Sequence, residues 1–111
     1  MIVVNTDFVT GYEIVEMLGL VRGNTVRAKH WGKDVIARVT QVVGGEIEGY
    51  TEMLTEAREE ALGRMAAAAQ VLGADAVINT RFITSSIMAN SAEVLAYGTA
   101  VRLRPSSVMG A

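Results

Sequence analysis

Residues 46–73, EIEGYTEMLTEAREEALGRMAAAAQVLG, decide the fold. Ile47, Tyr50, Leu54, Ala57, Ala61, Met65, Ala68 and Leu72 recur at steps of three or four. That spacing draws one apolar face along about seven helical turns. Gly45 is positioned to cap the start, with Glu48 at the third helical position. Gly73 fits the left-handed position just past the end. Gly63 lies among Ala61, Ala66, Ala67, Ala68 and Ala69, so a close approach is expected there. The partner is either the chain's own sheet or a second subunit.

Outward from this helix the pattern changes to extended chain. Residues 2–4 read as a short strand and 6–11 as a turn or loop. Residues 12–29 are rich in β-branched and long apolar side chains, with Gly23-Asn24 in the middle. That dipeptide predicts a hairpin turn or kink between two extended pieces, and Gly19 predicts a bulge or close backbone contact. Residues 34–43 step by three and four and read as a helical segment closed by Gly44-Gly45. After the long helix, 76–84 and 92–103 alternate as two antiparallel strands joined by a polar connection at 85–91. Leu95, Tyr97, Thr99, Val101 and Leu103 share one face of the last strand, and Ala96, Gly98 and Ala100 share the other. The expected class is α+β: one long helix on a small antiparallel sheet, a single domain over 1–104 and a mobile tail at 105–111.

Composition narrows the chemistry. Of 111 residues, 50% are apolar, and there is no cysteine and one histidine. Disulfides, zinc–thiolate sites and thiol nucleophiles are thereby excluded. A hydrolytic triad would depend on His30 alone. Gly44-Gly45 resembles a phosphate cradle in outline, but no Lys-Ser/Thr follows, and Glu46 and Glu48 would repel an anion. Met1-Ile2-Val3-Val4 has no cationic start and no run reaches membrane length, so a cytoplasmic protein without membrane association is expected.

The net charge of −2 conceals two blocks. Arg22, Arg27, Lys29, Lys33 and Arg38 face Asp34 alone within 22–38. Six glutamates face Arg58 alone within 46–60. The blocks can pair within one chain or between subunits. One aromatic in the basic block is too few for a nucleic-acid stacking platform, and no nucleic-acid partner is expected. Glu48, Glu52, Glu56 and Glu60 recur at i, i+4 and line one helical stripe. Two of them could bridge a hard divalent cation through oxygen, and His30 with Asp34 offers a further candidate pair. The metal candidates are therefore Glu48, Glu52, Glu56 and His30. The alternative is a solvated acidic face eased by the helix N-terminus.

Taken in order, Leu18-Gly19-Leu20-Val21-Arg22-Gly23, Val43-Gly44-Gly45-Glu46, Tyr50-Thr51-Glu52-Met53-Leu54, Glu56-Ala57-Arg58, Arg64-Met65, Leu72-Gly73-Ala74 and Tyr97-Gly98-Thr99-Ala100-Val101 resemble the YbjQ family of small bacterial and archaeal proteins. The resemblance spans roughly residues 2–103. It implies a dodecin-subunit-like helix-on-sheet unit that assembles with itself into a ring, a homopentamer. The family carries a heavy-metal-binding label without an established role and supplies no catalytic residues. Gly44, Gly45, Tyr50, Arg58, Gly63, Tyr97, Gly98 and Thr99 are the positions its pattern marks as interface or structural. The leading expectation is a non-enzymatic homo-oligomer binding a small ligand or cation between subunits, with no other cofactor. A metal-binding protein is the alternative, and an enzyme with an inter-subunit site the second.

Overall fold

The computed structural model describes residues 1–28 and 44–106, with the side chains of 44–48 outside that description. The elements are β1 (Ile2–Val3), β2 (Tyr12–Ala28), α1 (Gly44–Val71), β3 (Ala76–Met88) and β4 (Ser91–Pro105). They form one helix on a four-stranded sheet of order β1-β3-β4-β2. The α+β class stands, but the sheet is mixed. β2 and β3 flank β4 antiparallel, whereas β1 joins β3 in parallel. A two-residue strand carries no sequence signal for its partner. Here the chain start is drawn in by Val4 N–H donating to Val77 O at 3.0 Å and Thr80 N–H donating to Val4 O at 3.0 Å.

The long helix forms where its periodicity places it, and starts at Gly44, so both glycines of the pair lie in its first turn. It ends in a Schellman motif. Gly73 has φ +80. Its N–H donates to Gln70 O at 2.9 Å, and the Ala74 N–H donates to Ala69 O at 3.1 Å. Those bonds satisfy carbonyls that the last turn leaves without partners. The buried ridge is Met53, Ala57, Ala61, Met65 and Ala69, spaced by four throughout. It meets Val21 of β2, Val77 of β3 and Val94, Ala96 and Ala100 of β4. The small face of β4 is therefore the one under the helix. Leu72, placed on the apolar face by periodicity, is exposed because the helix has run past the sheet contact by then.

β2 corrects the expected hairpin. It is one continuous strand through Gly23-Asn24, paired with β4 from Tyr12↔Pro105 to Ala28↔Ser91. Gly23 serves a different need. A Cβ there would run into Met65 N and Ala61 O and lie 2.7 Å from Arg64 Cβ. The glycine lets the helix backbone rest directly on the strand. Gly63 shows the opposite: a Cβ would meet nothing within 4 Å. The close contact with the chain's own sheet expected at Gly63 is absent, since this residue is exposed and faces away from the strands. Gly19 sits beside an irregularity in the β2–β4 register with φ +121, as its position in the run suggests.

The polar connection expected at 85–91 is also corrected. β3 runs on to Met88, and only Ala89 and Asn90 turn, Asn90 with φ 65. Polar residues at 84–86 are compatible with a strand exposed to water. β4 likewise continues through Pro105, and Ser106 N–H donates to Gly11 O at 3.0 Å. On the sheet face away from the helix, Ala76, Ile78 and Val101 form a second buried cluster under Ile2, Val4, Val9 and Leu103. The expected helical segment at 34–43 and the tail from 107 onward lie outside the described residues.

The two glycines give opposite expectations. Gly23→Ala destabilises the fold by about 3 kcal/mol, because helix backbone must move to admit one methyl group. Gly63→Ala stabilises it by roughly 0.5–1 kcal/mol by removing a mid-helix glycine without a clash. Urea unfolding at fixed protein concentration measures both.

Candidate functional site

The acidic helix block and the basic strand block meet within one chain. β2 presents Thr25 and Arg27 toward the helix, and α1 presents Glu56 and Glu60 one turn apart. The Arg27 guanidinium donates to Glu60 Oε2 at 2.6 Å and to Glu56 Oε2 at 3.2 Å. The buried Thr25 hydroxyl donates to Glu60 Oε1 at 2.7 Å. Arg64, one turn further along the helix, lies 2.7 Å from Glu60 Oε1 and also donates to the Asn24 carbonyl at 2.6 Å. Three groups from two elements thus converge on one carboxylate.

The bond from Thr25 is the largest influence holding the Glu60 carboxyl below its usual value. The bond from Arg27 and the charges of Arg27 and Arg64 act in the same direction, and partial burial opposes them. This lowered pKa sets the sign of the pH dependence. The stabilisation is present above the ordinary carboxyl value of 4.5 and is lost as pH falls through the lower folded-state value.

Of the four predicted metal candidates, only the side chains of Glu52 and Glu56 are among those described. Glu56 is engaged by Arg27, so a cation there would have to displace a guanidinium. Glu52 is exposed one turn earlier. His30 and the side chain of Glu48 lie outside the described residues. Among the described residues, no three His, Cys, Asp or Glu side chains are grouped to hold a metal ion. Sequence spacing identifies the stripe but not Arg27 as its partner. The opposite charge of neighbouring blocks was the signal that pointed to such pairing.

The positions marked as interface or structural are spread over both layers. Arg58 is half-buried, and its guanidinium donates to the Thr55 hydroxyl at 3.4 Å. Tyr50, Tyr97 and Thr99 are half-buried. Gly98 is buried, and a Cβ there would lie 2.6 Å from Val77 Cγ1 and 2.8 Å from Ile78 O. The neighbouring strand therefore has space only for glycine. Residues 79–80 of β3 bulge next to this point, with Asn79 at φ 53.

An open groove of about 490 Å³ lies beside the helix, lined by Val3, Val4, Asn5, Thr6, Leu62, Thr80 and Phe82. Its size suits a small molecule, and no side chain lining it is charged. A smaller hollow of about 270 Å³ is lined by Arg22, Asn24, Glu93 and Leu95. Neither brings together a nucleophile and a base. Among the described residues, no helix is long and apolar enough to cross a membrane.

A helix laid on a four-stranded mixed sheet, with its charges paired across the layer, defines a small α+β protein. The chain belongs to the YbjQ family, described as "Putative heavy-metal-binding", which it matches over residues 1–104. It is 62% identical over 103 residues to a UPF0145 protein of Archaeoglobus fulgidus, covering 93% of this chain and 95% of that one. It is 54% identical over 107 residues to a UPF0145 protein of Thermosipho africanus, covering 96% and 99%. Its fold is similar to a solved protein of unknown function, of the DUF74 family, from Pediococcus pentosaceus. That likeness has a TM-score of 0.58 at 17% identity and covers 94% and 98% of the two chains.

Replacing Glu60 by Gln removes the charge that this cluster is built around. The melting temperature of the variant is expected to fall below that of the parent above pH 4.5. The two curves converge as the medium is acidified and the parent carboxylate is itself protonated. Calorimetry across that range measures the convergence.

Proposed function

We propose that the chain is a subunit of a non-enzymatic, cytoplasmic homo-oligomer, a pentameric ring of dodecin-like units, that binds a small ligand or cation where subunits meet. The observation that supports this is surface the single chain leaves uncovered. A compact domain of this length has a radius of gyration of about 13 Å. The value here is 18.5 Å, with extents of 63 × 25 × 17 Å. Leu20 and Met17 are each 70% exposed on a strand with no partner on its outer side among the described residues. Exposed apolar side chains in this number favour association. The paucity of groups able to act as nucleophile or base favours binding over catalysis.

Metal binding is the second reading. The family's description and the carboxylate stripe of Glu48, Glu52 and Glu56, with His30, favour it. With no cysteine, oxygen ligands direct that reading toward hard divalent cations rather than soft ones.

Native mass spectrometry of untreated protein is the test. A multimer is expected, with any small molecule visible as added mass, and a monomer at micromolar concentration would overturn the oligomer reading. Calorimetric titration with Mn²⁺ and Zn²⁺ separates the second reading. Heat with Mn²⁺ would support it, and the absence of heat with both ions would remove it.

A further inference from the structure

The large exposed apolar side chains are not scattered over the sheet. β2 carries Tyr12, Ile14, Val15, Met17, Leu20 and Val26, and β3 carries Phe82, Ile83, Ile87 and Met88. None is on β4, the strand between them. The two apolar sets therefore occupy opposite margins of one sheet. Both margins also have backbone without a strand partner among the described residues. β2 is the terminal strand of the sheet over all 17 of its residues. β3 is paired on its outer side by β1 only at Ala76 and Val77, which leaves Arg81–Met88 bare.

Natural sheets protect such edges with charged side chains, above all lysine, with proline, with bulges or with very short strands. β2 has no proline or lysine, and Phe82–Met88 has no charge at all. The Phe82–Met88 edge is thus unshielded, and on β2 the charges of Glu13, Glu16 and Arg27 are paired within the chain.

We propose that the outer edge of β2 in one copy pairs with the outer edge of β3, at Arg81–Met88, in the next copy. This rests on the homo-oligomer reading and names the surfaces that make it. The contact is head-to-tail, using a different surface on each side, and such contacts form a ring where the rotation between copies closes and an open filament where it does not. The alternative of β2 pairing with β2 would cover one margin of each chain and leave the other bare. The head-to-tail joint covers both. β2 and β3 run in the same direction, since each is antiparallel to β4. Repeated about an axis along the strands, they meet as parallel neighbours.

The available area is sufficient. At roughly 80 Å² each, the ten exposed side chains hold about 800 Å² of apolar surface along the two edges that meet, on both faces of the joined sheet. That is the apolar share of a stable interface of about 1,200–2,000 Å² in total.

Two single variants test the proposal: Leu20→Asp on β2 and Ile83→Asp on β3. These positions are 70% and 49% exposed, so each variant keeps the fold of the chain. Each alone is expected to be monomeric by native mass spectrometry. Mixed in equal amounts, they are expected to give a heterodimer and nothing larger, because one intact β2 edge meets one intact β3 edge. The appearance of that heterodimer also shows that both variants are folded, and circular dichroism of each provides the same control. A parental multimer unchanged by either substitution would overturn the edge pairing while leaving the oligomer reading intact. An Ile83→Asp dimer that does not exchange with Leu20→Asp would show β2–β2 pairing and overturn it as well. A monomeric parent protein would overturn both readings.

Discussion

At Gly23 the backbone of β2 lies against the backbone of α1 with no side chain between them. The small residues around this point follow from that approach. Around that approach the helix ridge carries Ala57, Ala61 and Ala69, and β4 carries Ala96 and Ala100 beneath it. Met65 fills the remaining irregular space. The contact also fixes the reach of the charged layer. With the two backbones this near, a threonine hydroxyl on the strand spans the distance to a glutamate on the helix.

The Glu60 cluster completes the joint that Gly23 permits. Apolar contact between small residues is weakly directional, and a ridge of alanines could slide along a strand by a turn. Thr25, Arg27 and Arg64 hold one carboxylate from three directions and assign a single register. The same engagement draws Glu56 toward Arg27. The acidic stripe read from the sequence is thus divided between an intrachain contact at its C-terminal half and exposed carboxylate at Glu52.

Much of the fold was legible because helices and half-buried strands repeat at fixed periods. The helix from Tyr50 to Gly73 and the alternation along β4 both belong to that part. What was not legible depended on contacts distant in sequence. Gly23-Asn24 reads as a turn, because the same freedom from a Cβ serves a turn or a close approach, and only the helix some forty residues later distinguishes them. Ser85 and Ser86 read as a loop because polarity marks exposure rather than conformation. For the site, the spacing of the glutamates was visible, but their partners on another element were not. The pairing of Arg27 with Glu60 joins residues 33 positions apart.

The strand order has a consequence for how the chain is made. β4, the strand that both long neighbours require, follows both of them in the chain, and Tyr12 finds its sheet partner at Pro105. Until β4 emerges, β2 can form no hydrogen bonds with it, and its apolar side chains wait in water. Such sequence-distant pairing slows folding and lengthens exposure to aggregation. The helix, whose backbone hydrogen bonds are local, is the part able to form early, and the sheet closes only once β4 is available.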